Sequence, residues 1–168
     1  MTSPNITNNA VFTALGDFLS VLFDCDIIKG EVNYVSMPQG SFILMNDVGK
    51  RRISQNHPSY SSDGSQQVKT PTQYDIQLDF YGADAGEMSQ TFLMLWNDGY
   101  AYDHLPTSIK PLYCDDLKQI SLITGEENYL ERWTTTVHIQ YNPAVTVPVN
   151  LIEDIPVYVK LANGKVIS

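Results

Sequence analysis

The sequence predicts an α+β domain in which a largely antiparallel sheet is flanked by two helices. Two stretches, residues 8–23 and 84–98, carry apolar residues at the three-to-four spacing of an amphipathic helix. Residues 72–82 instead alternate apolar and polar side chains, which is typical of a strand. Helices and strands are interspersed without an internal repeat, and 168 residues suit one hydrophobic core. We therefore expect a single domain, residues 1–168.

The first helix is predicted over residues 8–23. Asn8 or Asn9 is expected to cap it, because a short polar side chain can accept from an unpaired amide of the first turn. Asp17 is the only charged residue in this stretch, so the helix is expected to pack against a sheet or a neighbouring subunit over a broad surface. Its apolar residues are Val11, Phe12, Leu15, Phe18, Leu19, Leu22 and Phe23.

Two strands and a polar segment are predicted next. Ile27 and Ile28 form a short strand, and residues 41–46 form a second, more apolar one. Pro38, Gln39 and Gly40 between them form a turn, since proline presets φ and glycine frees it. Residues 49–72 are polar and rich in serine, which predicts a long loop rather than a tight hairpin.

Residues 72–82 predict a half-buried strand with one polar face. Gly82 ends this strand, and residues 84–87 open the second helix with acidic side chains where the helix dipole favours them. Asp98 and Gly99 are expected to stop that helix. Its apolar stripe consists of Met88, Phe92, Leu95 and Trp96.

The last third of the sequence predicts strands at residues 109–114, 119–123 and 129–141, the last of them ended by Asn142 and Pro143. Residues 149–168 are expected to form a strand or hairpin extension with an Asn163–Gly164 turn. Within the long strand, alternation separates the apolar Trp133, Val137 and Ile139 from a neutral, hydrogen-bonding face. We interpret this second face as a candidate subunit interface, formed by Thr134, Thr136, His138 and Gln140.

The sequence predicts no catalytic residue, cofactor or metal. The three histidines share no metal-ligand spacing with each other or with Cys25 and Cys114. The cysteines form no CxxC motif, so two reduced thiols are expected, although one disulfide is possible. Asp115 and Asp116 follow Cys114 and would disfavour its thiolate. His138 is interpreted as a solvated or interface histidine rather than a catalytic one, and His57 and His104 are placed in loops.

The charge distribution is uneven. A net charge of -9 excludes a uniformly basic nucleic-acid-binding protein. Residues 49–72 nevertheless carry four cations against one anion, whereas the rest of the chain carries six against eighteen. Such a segment could contact a neighbouring subunit, another acidic partner or the phosphates of DNA, or it could be a solvated loop. The candidate contact residues are Lys50, Arg51, Arg52 and Lys69.

Three stretches together resemble the phage neck terminator family, the tail-completion proteins of tailed bacteriophages and prophages. They are VFTALGDFL, YDIQLDFYGADAGEMSQTF and LYCDDLKQISLITGEENYLERWTTTVHIQYNPAVTVP. The resemblance extends over residues 11–148 and is weakest in residues 49–72 and 149–168. It implies a tail-terminator-like fold, a sheet flanked by helices, and a structural protein rather than an enzyme.

The resemblance also implies partners. Terminators form a ring, typically a homohexamer, that caps the tail tube and joins it to the head-side connector, and a sheath protein is a further possible partner. DNA would pass through the ring without sequence-specific binding. The implied location is the virion tail or neck, with the host cytoplasm during assembly. The N-terminus lacks a basic region and no stretch approaches the length of a membrane span, so no membrane role is expected.

Three alternatives stay open at this point. One is another structural role, a head-side stopper or adaptor of the neck. The second belongs to a different class, a small hydrolase or nuclease that would use Cys114, His104 or His138. The third is a host-side binding module.

Overall fold

The computed structural model describes residues 2–30, 38–120, 122–123, 129–149, 159–160 and 166–167. Its elements, in chain order, are α1 (Asn8–Leu22), β1 (Asp26–Lys29), β2 (Phe42–Arg52), β3 (His57–Tyr60), β4 (Ser65–Lys69), β5 (Thr72–Tyr81), α2 (Ala85–Asn97), α3 (Gly99–His104), β6 (Ile109–Cys114), β7 (Lys118–Gln119), β8 (Leu122–Ile123), β9 (Tyr129–Leu130), β10 (Arg132–Tyr141), β11 (Ala144–Pro148), β12 (Val159–Lys160) and β13 (Val166–Ile167).

The central sheet has the strand order β1-β2-β5-β10-β6, and β7 also pairs with β10. β1 is parallel to β2, and the other pairings are antiparallel. The predicted α+β class with a largely antiparallel sheet is therefore confirmed. The long strand predicted at residues 129–141 forms as β9 and β10, and it ends before Asn142 as expected.

The alternation predicted for residues 72–82 is confirmed in β5. Its side chains Tyr74, Ile76, Leu78 and Phe80 are fully buried against the helices. These four residues share one side of the sheet because every second side chain of a strand points to the same side. They form the floor of the hydrophobic core, which the helices complete.

Helices α1 and α2 cover the same face of the central sheet. The ring of Phe18 in α1 packs edge-on against Phe92 and Trp96 of α2, with centroids 6.4 and 6.0 Å away. The ring of Phe80 on the sheet lies 5.7 Å from Phe92. These aromatic contacts join the three layers of the core.

The capping residue of α1 is Thr7, so the prediction that Asn8 or Asn9 caps the helix is wrong. The Thr7 hydroxyl accepts from the amide of Ala10 at 3.2 Å. Because the helix already begins at Asn8, only the preceding residue has the extended backbone that a cap needs. The Asn8 and Asn9 side chains instead accept from the ammonium groups of Lys50 and Lys29.

The second helix ends at Asn97, close to the predicted stop. Phe92 and Trp96 of its predicted stripe are buried, while Met88 and Leu95 are half-buried. A third, short helix follows as α3, which the sequence did not predict. Its Ala101 is buried in the same core.

The predicted long loop at residues 49–72 is wrong. Strand β2 continues to Arg52, and β3 and β4 form a hairpin. In the turn between them the carboxylate of Asp63 accepts from the amide and hydroxyl of Ser65 at 3.0 and 2.6 Å. Gly64 supplies the positive φ of 78° that this turn requires.

Strand β11 pairs with β4, so β11, β4 and β3 form a second, three-stranded sheet that we call the ribbon. β4 leads into β5 and β10 leads into β11 through two proline-containing breaks that lie side by side. At these breaks the amide of Thr70 donates to the carbonyl of Pro143 at 3.1 Å. The ribbon is therefore a direct continuation of strands from the central sheet.

Within the extension predicted over residues 149–168, β12 pairs antiparallel with β13, as a hairpin requires. The Asn163–Gly164 turn proposed for it lies outside the described residues. The strand predicted at residues 119–123 forms as two short pieces, of which β7 pairs with β10 and β8 pairs with β9.

Candidate functional site

The face of the central sheet that points away from α1 and α2 is polar, and we call it the polar face. The register joins Gln73 to Gln140, Asp75 to His138, Gln77 to Thr136 and Asp79 to Thr134 across β5 and β10. The four β10 residues predicted to share a face therefore lie in one row. Their role in a subunit interface stays a prediction.

His138 lies at the centre of the polar face, where two carboxylates flank its ring. Nδ1 is 2.6 Å from Oδ1 of Asp75, and Nε2 is 3.3 Å from Oδ1 of Asp115. Gln73 Nε2 donates to the same Asp75 oxygen at 2.7 Å and lies 2.9 Å from Nδ1, so the three side chains form one hydrogen-bonded cluster. The ring also stacks on Tyr113, with centroids 4.2 Å apart.

These neighbours leave His138 only 8% exposed, so the interpretation as a solvated histidine is wrong. The sequence could not show this because the partners come from β5 and from the segment after β6. Their side chains reach the ring through the register of the sheet.

Asp79 forms a second buried cluster on the polar face, and it is 1% exposed. Arg132 donates to its carboxylate from Nε at 3.2 Å and from Nη2 at 3.0 Å. Gln77 Nε2 and Asn46 Nδ2 donate at 3.0 and 3.1 Å. A buried carboxylate needs this number of donors, because burial removes its hydration. The cluster ties β2, β5 and β10 together.

Two of the predicted contact cations, Lys50 and Arg51, lie on opposite faces because they are consecutive in β2. Lys50 lies on the helix side, with Nζ 4.3 Å from the ring centroid of Tyr74. Arg51 lies on the polar face, where Nη2 donates to Oε1 of Gln73 at 2.7 Å. The two cations therefore cannot act on one flat surface.

Arg52 and Lys69 are both exposed at the ends of their strands, where the central sheet meets the ribbon. Arg52 lines a cleft of about 370 Å³ with Arg51 and Leu112. The structure thus brings the four predicted cations to one end of the central sheet, although not to one face.

Lys110 is a further cation at this end that sequence reasoning missed. It lines a cleft of about 340 Å³ together with Lys69. Its Nζ lies 3.8 Å from the ring centroid of Tyr102. Lys110 lies outside residues 49–72, so the local charge count could not associate it with the other four. The pairing of β6 with the end of β10 brings it there.

The residues of the catalytic alternative do not form a constellation. The Cys114 sulfur lies 3.6 Å from Nδ2 of Asn97 in α2, on the helix side of the sheet, whereas His138 is on the polar face. Burial raises the pKa of the Cys114 thiol to about 11, and the nearby Asp115 adds to this effect. A thiol in this environment is a poor nucleophile.

The other two histidines lie in regular elements, so their predicted place in loops is wrong. His57 opens β3 and is exposed. His104 ends α3, where Nδ1 is 2.9 Å from the carbonyl oxygen of Tyr100 and the ring stacks on the Tyr100 ring. Neither histidine is a hydrogen-bond partner of the Cys114 sulfur, which contacts Asn97.

Cys25 and Cys114 are free and half-buried. Burial raises the pKa of Cys25, and the acidic neighbours Asp26 and Asp24 act in the same direction. Among the described residues, no group of three or more histidine, cysteine, aspartate or glutamate side chains could hold a metal ion. No helix in that part of the chain is long and apolar enough to cross a membrane.

The described residues thus form a sheet with helices on one side, a hydrogen-bonded polar face on the other and a ribbon beyond both. The family model for the phage neck terminator protein matches residues 9–165, so the chain belongs to the phage neck terminator family. No curated protein matches the chain.

Membership confirms the resemblance seen in the sequence and gives the protein a structural role in the neck of a phage. Neck proteins contact other proteins of the tail or head, and their place is the tail or neck of the virion.

Proposed function

We propose that this protein forms a ring of identical subunits, six in the usual arrangement of such proteins, that caps the tail tube. The ring would stop tube growth and present a surface to the head-side connector. The observation that carries this proposal is the ribbon, which has an apolar face outside the hydrophobic core formed by the described residues.

Alternation gives the ribbon two unlike faces. The register joins Pro58, Val68 and Val145 in one row and Tyr60, Gln66 and Val147 in the next. Five of these six side chains are apolar or aromatic. Tyr60 is 69% exposed, and the three valines are half-buried. Among the described residues, the hydrophobic core includes no residue of β3, β4 or β11.

A sheet with one apolar face normally packs that face against another layer. Three or more strands are stable when such a layer is present, and the helices of this chain pack on the central sheet instead. A layer supplied by another protein of the neck or by a second copy would meet this need. The ribbon therefore favours assembly over a free monomer as the working state.

The edges of the ribbon favour contact through its face rather than by strand addition. The amide of Ser61 donates to the carbonyl of Ser65, and the amide of Thr70 donates to the carbonyl of Pro143. Because hydrogen-bonded and non-hydrogen-bonded residue pairs alternate along antiparallel strands, the backbone nitrogens of Pro58 and Pro148 point away from β4. Proline has no amide hydrogen to offer an incoming strand. Edges of this kind protect a protein from open-ended aggregation.

The charges also suit a ring around DNA. The predicted cations lie where the ribbon begins, and the rest of the chain is strongly acidic. Identical subunits placed side by side can set a cationic end against an acidic neighbour. An acidic inner surface would let DNA pass without adhering, because like charges repel at short range.

Electron microscopy of tails made with and without the protein tests this proposal. Without it, we expect tails of irregular or excessive length and few tails joined to heads. Tails of normal length that join heads in its absence would contradict the proposal. Recovery of the protein only with heads would favour a head-side stopper or adaptor instead.

Reversing the exposed cations gives a second test. The double variant Arg51→Glu/Arg52→Glu is expected to assemble more weakly than the unaltered protein. Added salt should also weaken assembly of the unaltered protein, because salt screens exposed charges. Light scattering and phage titre measure the effect. Unchanged assembly and titre would remove these residues from the contact.

A further inference from the structure

We propose that the acidic cleft at the edge of the polar face binds the guanidinium group of Arg52 from a second copy of this chain. The cleft has a volume of about 230 Å³, and its polar lining includes Gln77, Asp115, Asp116, Lys118 and Thr134. This inference rests on the proposed ring, and it names one contact that would hold neighbouring subunits together.

The cleft offers more hydrogen-bond acceptors than its own donors use. The buried hydroxyl of Thr134, a residue 8% exposed, has no hydrogen-bond partner among the described residues. Gln77 gives its amide hydrogens to Asp79, which leaves its carbonyl oxygen available. Asp116 has no ion-pair partner in the same part of the chain.

The acceptor set selects the kind of ligand. Two carboxylates, a hydroxyl and an amide oxygen are matched by a cation that presents several N–H groups in a fixed plane. A guanidinium has five such donors, whereas an ammonium group is a compact point charge. Lys118 at the rim reduces the negative charge, and Asp115 is shared with His138, so Asp116 is the main carboxylate for the ligand.

The chain contains three arginines, and two of them are already engaged. Arg132 binds the buried Asp79, and Arg51 donates to Gln73. Arg52 is exposed and has no hydrogen bond or ion pair within the described residues. It is therefore the arginine of a second copy that is free to enter the cleft.

The position of Arg52 supports contact between copies rather than within one. It lies at the ribbon end of the sheet, in the row of Thr72 and Tyr141. Thr134 lies seven residues back along β10, a separation of about 23 Å at ~3.3 Å per residue. An arginine side chain cannot span that distance, so the two partners must come from different copies arranged head to tail.

A charge exchange tests the contact. Arg52→Glu and Asp116→Lys are each expected to weaken self-association about tenfold, and the double variant should recover most of it. Asp103→Lys on the exposed surface of α3 makes the same charge change away from the cleft and should associate like the unaltered protein. Sedimentation velocity measures association, and circular dichroism checks that every variant is folded.

The same variants are also tested for rings on purified tail tubes by negative-stain microscopy, in case association requires the tube. Loss with each single variant and recovery with the double supports the contact. Normal ring formation by Arg52→Glu would overturn the contact. A double variant that associates no more strongly than the weaker of the two single variants would also overturn it, and either result would show a solvated cleft. The proposed ring would survive that result, because the length of tails made without the protein tests the ring separately.

Discussion

The two sheets of this molecule share continuous strands but are stabilised differently. The central sheet buries β5 completely on the helix side, and its polar face is held by the Asp79 and His138 clusters. In the ribbon, Ala144 is the only described residue that is buried. The helices stabilise one end of the strands, and the other end is the surface that we propose contacts other chains.

The largest expected effect is on the core of the central sheet. Phe92→Ala removes a fully buried ring that contacts Phe18 and Phe80, and should lower the free energy of unfolding by about 4 kcal/mol. Val68→Ala in the ribbon serves as the comparison and should cost less than about 1 kcal/mol. Urea denaturation measures both. Equal losses would contradict the distinction between the two sheets.

A smaller effect is expected from the polar face. Asp79→Ala leaves the half-buried Arg132 without its carboxylate, and should lower the free energy of unfolding by about 3 kcal/mol. Thermal unfolding at constant salt measures the change. A loss below about 1 kcal/mol would mean that the cluster contributes little to joining β2, β5 and β10, and that the polar face resembles the ribbon in stability.

In the ribbon we expect a loss of assembly rather than of stability. Val145→Asp places a charge on the apolar face, while Thr146→Asp places it on the opposite face of the same strand. Both variants should unfold within about 1 kcal/mol of the unaltered protein. Only Val145→Asp should lose ring formation, measured by microscopy with tail tubes. Equal behaviour of the two variants would remove the apolar face from the account.

The smallest effect concerns the reactivity of Cys114, whose sulfur lies on the helix side of the central sheet. With a pKa of about 11, only about a thousandth of this thiol is ionised at pH 8, because the thiol stays protonated below its pKa. Alkylation by iodoacetamide should be slow at pH 8 and rise about tenfold per pH unit toward pH 10. Mass spectrometry gives the rate. A rate at pH 8 as high as in urea-unfolded protein would show an unburied thiol.

The parts of the fold predicted from the sequence are those specified by local periodicity. The alternation of residues 72–82 and the apolar stripe of α1 each depend on neighbours within a few residues, and both are confirmed. The hairpin β3–β4 was missed because its residues are polar and its partner β11 is distant in the sequence. Its formation depends on the Asp63 turn and on pairing that no local pattern reveals.

The polar face illustrates the same limit at the level of a site. Alternation placed Thr134, Thr136, His138 and Gln140 together, and the register confirms that they share a face. It could not show that Asp75 and Asp115 flank His138, because these residues belong to other parts of the chain. The register of three strands determines those contacts.

Hydrogen–deuterium exchange of the free protein and of the protein assembled on tail tubes tests the central claim most directly. We expect the amides of β3, β4 and β11 to exchange much more slowly after assembly, while those buried beneath α1 and α2 change little. Unchanged exchange in the ribbon, with new protection confined to the outer surfaces of the helices, would contradict the claim that the ribbon is the assembly surface.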